Sequence, residues 1–307
     1  MCYSAMVIAE IRKYERKLGV KVDPKWYVQT FWIDRGKNPF KRPKVPRALE
    51  LDAIANGPPE IAAAVREADQ AETDRLTQEL FAQRKRVGDA ERALQVKETK
   101  KAREDVRIGS AKVEAALRRL DELKKPASES GMGRIYPGYY CPVLTFEDGR
   151  HVVRPMRYQC RLPGWDELVE RRYPDTYNAR RDKLETSWGK VFSHSHGVVL
   201  ATAFYEHVDR NGQDAILEFK PDDGRDMIVA CIWTRAVDRD GAELYSFAAI
   251  TDDPPPEVVA AGHDRCIIPI KRENLDAWLQ PDPTNLAALY AILDDRERPY
   301  YEHRLAA

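Results

Sequence analysis

The chain has 307 residues, 50 basic and 50 acidic side chains, a formal net charge of zero, and 43% hydrophobic residues with six Trp and fourteen Tyr. That length builds one large domain or two smaller ones, the apolar and aromatic content excludes a wholly disordered chain, and no apolar run approaches the roughly 18 residues that cross a membrane. Five cysteines with no C-x-x-C pair exclude a disulfide scaffold and a zinc knuckle.

The first nine residues lack a basic n-region and run into Glu10, so no export signal is expected there, and the chain reads as cytoplasmic. A helix is expected over Ile8 to Leu18. Between Glu10 and Arg47 twelve Lys/Arg stand against four Asp/Glu, so a neutral chain still carries a locally basic stretch, either a binding face or a solvated surface. From Glu60 to Lys125 there is no Pro and a single aromatic, Phe81. Apolar residues recur there in steps of three, four and seven (Ile61, Val65, Leu76, Leu80, Val87, Leu94, then Val106, Val113, Leu117, Leu120), the pattern of an amphipathic helix or coiled coil. A hairpin broken near Gly88-Asp89 or Gly109-Ser110 pairs the two stripes with each other.

After Pro126 the pattern becomes short β-like runs between turns. Tyr140 to Phe146 and His151 to Val153 flank Glu147-Asp148-Gly149-Arg150 as a hairpin. Further strands are expected at Gly197 to Tyr205, Ala215 to Phe219, Met227 to Thr234, Leu244 to Thr251 and Cys266 to Ile270, with helices at Pro254 to Ala261 and Arg272 to Leu279. The expected fold class is α+β: a mainly antiparallel, barrel-like core with flanking helices, interrupted by a long helical hairpin. The expected division is 1–33 as the first part of the core, 34–130 as an inserted basic linker and helical arm, 131–280 as the remainder of the core, and 281–307 as a C-terminal tail or helix.

Cys2 combines a thiol with an α-amine once Met1 is removed. Such an amine has a reference pKa near 7.7–8.0, so roughly a tenth of it is neutral at pH 7. It can attack an aldehyde to give an imine, and the thiol can close a thiazolidine. The alternative is a buried structural cysteine. Tyr177-Asn178-Ala179-Arg180, Ala203-Phe204-Tyr205-Glu206 and Gly262-His263-Asp264-Arg265 follow in order. Read with Cys2, this series resembles the SRAP family (SOS response-associated peptidase), and Arg157-Tyr158-Gln159-Cys160-Arg161-Leu162-Pro163-Gly164-Trp165 and Arg134-Ile135-Tyr136-Pro137 are similar to two further family segments. The resemblance covers about residues 1–30 and 131–280.

It implies a barrel-like core and a covalent crosslink between Cys2 and the aldehyde of an abasic site in single-stranded DNA, in the DNA damage response and on the nucleoid. Cys2, Asn178, Glu206 and His263 become the catalytic candidates, and Arg134, Arg157, Arg161, Arg180, Arg181 and Trp165 the DNA-binding ones. Two readings compete with it: an N-terminal-nucleophile peptidase limited to removing its own leading residue, and a non-enzymatic scaffold on the helical arm. The family's usual Cys-Gly-Arg-Phe start is replaced by Cys2-Tyr3-Ser4-Ala5, which removes an arginine implied to hold phosphate. Ala203 stands for a customary Gly and His207 for a customary Trp.

Taken one by one, the residues keep ordinary alternatives. Glu206 follows an apolar run, and partial burial raises a carboxyl pKa toward the range of a proton shuttle; otherwise it is a strand-end carboxylate paired with an arginine. His263 is a proton donor to the sugar ring oxygen or a turn histidine. Asn178 orients the adduct or caps a turn. Arg180 and Arg181 grip phosphates or sit in solvent. Trp165, Tyr158 and Tyr177 stack on unpaired bases or belong to the core. His194-Ser195-His196 has no evident third ligand, so neither metal nor cofactor is expected. The region 60–125 is a candidate for self-association or for a protein partner.

Overall fold

The structure is a computed structural model that describes residues 4–23, 25–32, 43–126, 132–210, 212–237, 241 and 243–306. The chain divides into two compact units, one of Met1–Asp52 with Ser130–Ala307 and one of Ala53–Glu129. None of the described helices is long and apolar enough to cross a membrane.

In the first unit the strands are β1 (Ser4–Val7), β2 (Arg134–Ile135), β3 (Tyr140–Glu147), β4 (Arg150–Tyr158), β5 (Asn178–Arg180), β6 (His196–Arg210), β7 (Gln213–Pro221), β8 (Met227–Val237), β9 (Glu243–Asp252), β10 (Cys266–Ile267) and β11 (Tyr301–Leu305). Five of them close a ring: β3 pairs β4, β4 pairs β9 in parallel, β9 pairs β8, β8 pairs β6, and β6 returns to β3. Closure removes the open edges of the barrel.

The long strand β6 serves two purposes. Its first half, from His196 to Ala201, pairs β8 in the barrel, whereas its second half takes β1 on one side and β7 on the other. The barrel's apolar core includes Val143, Met156, Tyr158, Phe204, Phe219, Phe247 and Ile267. Phe204 stacks on Phe219 at 5.0 Å and Tyr158 on Phe247 at 5.2 Å.

The helices, in chain order, are α1 (Ile11–Leu18), α2 (Trp26–Trp32), α3 (Arg47–Asn56), α4 (Pro59–Val96), α5 (Lys100–Lys124), α6 (Glu167–Arg172), α7 (Gly189–Phe192), α8 (Pro256–Ala260), α9 (Leu275–Leu279) and α10 (Leu286–Asp294). The expected strands and helices after Pro126 all appear; most strands are longer than expected, whereas β10 ends at Ile267, α8 spans only Pro256–Ala260 and α9 begins at Leu275. Elements α2, α3, α6, α7, β2, β5 and β11 are additional to the expected ones, and α10 falls in the stretch 281–307 expected as a tail or helix. Strand β11 ties the C-terminal stretch into the fold, since Tyr301 to Leu305 pair with Pro221 to Leu217 of β7.

In the second unit α4 and α5 form the antiparallel hairpin, but its break differs from the expected one. Both glycine pairs lie inside helices, and the chain turns at residues 97–99, where the Thr99 side chain accepts from the Ala102 N–H at 3.2 Å and caps α5. Gly109 is a packing residue: a Cβ there would lie 2.6 Å from Val87 Cγ2 on the facing helix. The seam is Leu76, Leu80 and Ala116, flanked by Val113, Leu120 and Leu123. Arg119 with Glu72 at 2.8 Å and Arg86 with Asp105 at 2.5 Å fix the antiparallel register across it.

Candidate active site

Glu206 stands on the second half of β6, opposite Leu217 of β7. Alternation along the strand puts it on the same face as Phe204 and Val208, which are buried core residues. The carboxyl group is therefore set in apolar surroundings, and Glu206 is 0% exposed. Such a group is costly to bury and needs partners close by.

His263 is one of those partners. It follows α8 in a turn closed by the Gly262 N–H donating to the Val259 carbonyl at 2.9 Å and the His263 N–H donating to the Val258 carbonyl at 3.2 Å. Gly262 adopts φ +99, which favours glycine, and a Cβ built there would lie 3.7 Å from Val208 Cβ on β6. The turn thereby rests against the strand that carries Glu206, and His263 Nε2 lies 3.3 Å from Glu206 Oε2. The Arg265 N–H reaches Nδ1 at 3.2 Å. Nδ1 also lies 3.0 Å from the Arg265 carbonyl, so it accepts from that N–H or donates to that carbonyl according to the tautomer. Burial holds the His263 pKa below its ordinary value, with the Arg265 carbonyl opposing; the ring is neutral at neutral pH. The geometry sets a buried carboxyl and a buried imidazole 3.3 Å apart.

Asn178 is buried on β5, beside Ala249 of β9. Further along β9, Thr251 is flanked by Arg180 of β5 and by Ile267 of β10, four residues after His263. Cys2 lies outside the described residues. The first described residue, Ser4, pairs with Tyr205, the neighbour of Glu206. The four described cysteines, Cys141, Cys160, Cys231 and Cys266, are buried. Burial pushes their thiols up, that of Cys160 to about 12, which keeps them protonated and unreactive.

The expected DNA-binding residues separate into groups. Arg157 and Arg161 both engage Glu170 of α6, Arg161 through Nε at 3.0 Å and Nη2 at 2.7 Å. Asp166 caps that helix by accepting from the Leu168 and Val169 N–H groups. The triad secures the loop bearing Trp165, whose ring lies 5.4 Å from the exposed Tyr173. Arg180 is half-buried and donates to Asp182 at 2.7 Å. Arg181 donates to Asp294 at 2.6 Å and lies 3.5 Å from Asp252. Arg134 donates from Nε to Ser4 Oγ at 3.0 Å, and its Cζ lies 3.7 Å from the centre of the Tyr205 ring. Tyr158 and Tyr177 are core residues, 2% and 8% exposed and packed edge to face at 5.8 Å, which removes them from any stacking surface. His196 is also internal: its ring stacks on Trp278 at 3.9 Å, with Nδ1 2.9 Å from the Trp278 carbonyl.

Two features carry no signal in the sequence: Glu170 as the partner of two arginines, and Tyr205 bonded to Glu218, with its hydroxyl donating at 2.6 Å. Each joins residues from separate elements, and no local pattern announces either.

The fold and this pair define a closed β-barrel protein with a buried acid–base couple beside its first strand. The chain belongs to the SOS response associated peptidase (SRAP) family, whose family model matches residues 96–304. No curated protein is matched. Among solved structures, a protein from Bordetella bronchiseptica is 19% identical with a TM-score of 0.49, covering 59% of this chain and 90% of that one. A protein from Bacteroides thetaiotaomicron is 18% identical with a TM-score of 0.48, covering 57% and 78%. A phage-related protein from Bordetella bronchiseptica is 18% identical with a TM-score of 0.43, covering 57% and 81%.

Proposed function

We propose that the protein captures abasic sites in single-stranded DNA by a covalent bond from Cys2. The observation that carries this reading is the Glu206–His263 pair at 3.3 Å on the strand that also holds β1. Two residues span at most about 7 Å, so covalent geometry keeps Cys2 near Ser4 and the end of β1. The reading also draws on family membership, which links the chain to the SOS response and to peptidase-like chemistry.

The chemistry balances without a cofactor. The Cys2 amine adds to the aldehyde carbon of the ring-opened sugar, and the carbinolamine loses one water to give an imine. The thiol sulfur then bonds to the imine carbon while its proton passes to nitrogen, closing a thiazolidine. As the sugar opens, Glu206 takes the proton of the anomeric hydroxyl while His263 donates one to the ring oxygen, and a proton passing from Glu206 to His263 across their 3.3 Å contact restores both groups. Glu206 accepts the proton released by the attacking amine and returns it to the departing hydroxyl. Asn178 orients the adduct from β5. Arg180, whose carboxylate partner is two residues away at the surface, exchanges that partner for a phosphate, and Trp165 with Tyr173 offers a stacking surface for a flanking base. Arg157 and Arg161 act through Glu170 by holding the Trp165 loop. The helical arm is a candidate for self-association or for a protein partner.

The family's description as a peptidase fits a second use of the same groups: the Cys2 thiol attacks the carbonyl of Met1, its proton passes to the departing Cys2 nitrogen, and water then hydrolyses the Met1 thioester, releasing methionine and restoring the thiol beside a free amine. Intact-mass measurement after mixing with abasic single-stranded DNA tests the principal reading. The expected product has the mass of protein lacking Met1 plus DNA less one water, and Cys2→Ala yields none that survives heating without reduction. The same unreduced adduct from Cys2→Ala would refute the aminothiol mechanism.

A further inference from the structure

The strand β1 is four residues long, and its first described residue, Ser4, is held from more than one strand. Strand β2 pairs with β1 through Ala5 with Ile135 and Met6 with Arg134. On its other side Ser4 pairs with Tyr205 of β6. Ser4 is 0% exposed, and a side chain from β2 adds to its hold. Arg134 reaches diagonally along the sheet and donates from Nε to Ser4 Oγ at 3.0 Å.

The guanidinium is itself held. Its Cζ lies 3.7 Å from the Tyr205 ring centre and 5.1 Å from that of Tyr136, a cation over aromatic faces. Tyr205 is fixed in turn: its hydroxyl donates to Glu218 Oε1 at 2.6 Å, and Glu218 Oε2 accepts from Arg304 Nε. Burial and then the Glu218 bond hold the Tyr205 pKa well above the usual phenol range, so the hydroxyl keeps its proton and remains a donor. The relay runs Arg304, Glu218, Tyr205, Arg134, Ser4, with one residue from each of β11, β7, β6, β2 and β1. It converges on the strand end nearest the N-terminus, on the sheet face opposite that of Glu206, the chain neighbour of Tyr205.

We infer that Arg134 is a positioning residue: it clamps Ser4 so that the end of β1 presents Cys2 to the Glu206–His263 pair. The proposal rests on the reading above that Cys2 is the reacting residue, and it reassigns Arg134 from phosphate contact to preorganisation. Arginine suits the role because its planar group stacks on a ring while Nε–H still points in its own plane to an acceptor; lysine retains the charge and loses that fork. A misplacement of about 1 Å at a reacting group costs on the order of 10² in rate. Loss of the clamp is therefore expected in the bond-forming step and hardly at all in DNA affinity.

The experiment compares wild type, Arg134→Met, Arg134→Lys and Ser4→Ala in the full chain by three measurements. These are the crosslinking rate at saturating abasic single-stranded DNA, the dissociation constant for a strand carrying an uncleavable abasic analogue, and hydrogen exchange at the backbone amides of residues 4–7. Arg134→Met is expected to slow crosslinking by about 10- to 100-fold. Its affinity should change less than about threefold, and exchange at residues 4–7 should rise at least about tenfold while the barrel strands stay protected. Arg134→Lys and Ser4→Ala fall between it and wild type.

Weaker binding with a flatter salt dependence, about 0.7 lost from the log–log slope, and an unchanged saturating rate would make Arg134 a phosphate contact and overturn the proposal. Unchanged exchange at residues 4–7 overturns it as well. If Arg134→Met fails to fold, Arg134→Lys and Ser4→Ala decide by the same criteria. If wild type forms no adduct, the functional reading fails by itself, and the exchange measurement alone judges the clamp.

Discussion

The barrel unit and the helical arm use charge in opposite ways. In the barrel, carboxylates and histidines go inside: Glu206, Glu218, Glu170, His196 and His263 are all buried. Each sits against a defined neighbour, whether His263 for Glu206, Tyr205 for Glu218, or the paired Arg157 and Arg161 for Glu170. In the arm the charges stay largely in water, as in Arg107 with Glu104 and Arg75 with Glu79, and a narrow stripe of Leu76, Leu80 and Ala116 forms the buried seam. Exposed pairs of this kind contribute about 0–1 kcal/mol each, whereas an ionisable group in a dry interior is costly unless it is matched. Buried, matched polar groups need the many-sided enclosure of a closed barrel, and a two-helix hairpin has too little interior to supply it. The contrast separates a part that encloses matched polar groups from a part whose charges face water.

The largest expected effect lies in the barrel. Glu206→Gln keeps the shape and loses the proton acceptor, so the crosslinking rate should drop by about 10²–10⁴-fold while binding to an uncleavable abasic analogue changes little. Equal losses of rate and binding would show structural damage and break the distinction between catalytic and supporting residues.

The barrel should also be the acid-sensitive unit. Burial pushes the His196 pKa down to about 4, against about 6.5 in an unfolded chain. Between those values the unfolded state binds the extra proton, so stability is fully present above about pH 6.5 and is lost as the pH falls through about 4. The shift corresponds to on the order of 3 kcal/mol. Urea denaturation across pH 7 to 4 should show this loss, and His196→Gln should flatten it. A variant with the same slope as wild type would remove His196 as the cause.

In the arm the sharpest test is steric. Gly109→Val adds a branched side chain where even a Cβ would lie 2.6 Å from Val87 Cγ2, so the helix pair must spread. Overpacking of this kind costs about 1–3 kcal/mol. Hydrogen exchange should report it in α4 and α5, with the crosslinking rate unaltered. The smallest effect is expected from removing the arm. Deletion of Pro59 to Pro126 with a short Gly/Ser bridge should leave the adduct rate within about twofold of wild type, since every proposed reacting residue lies outside it. A folded deletion variant that forms no adduct would show that the arm helps to build the DNA site.

Much of the barrel was legible because its strands carry local marks. Runs such as Met227 to Thr234 and Leu244 to Thr251 alternate or stay apolar between turns, and strand geometry follows from that pattern. The arm was legible for the same reason, although its break was not. Glycine lowers helix propensity by about 1 kcal/mol, yet Gly109 is retained because a facing side chain occupies the space where a Cβ would go. The turn falls at the Thr99 cap instead, whose only local mark is a hydroxyl three residues before Ala102. Glu206 and His263 were legible as residues through the resemblance, not as a pair. Strand alternation places Glu206 on the face of Phe204 and Val208, but 57 residues of chain separate it from His263.

The sequence by itself determined the periods: which segments turn every 3.6 residues, which alternate, and where Pro, Gly and Asp interrupt them. These follow from backbone sterics and from neighbours a few residues away. Only the tertiary structure decided that β6 belongs to the barrel at one end and holds β1 at the other, that Arg157 and Arg161 share Glu170, and that Arg134 closes over Ser4. Those contacts join residues far apart in the chain, and their energies depend on burial and partner geometry that no local window of sequence contains.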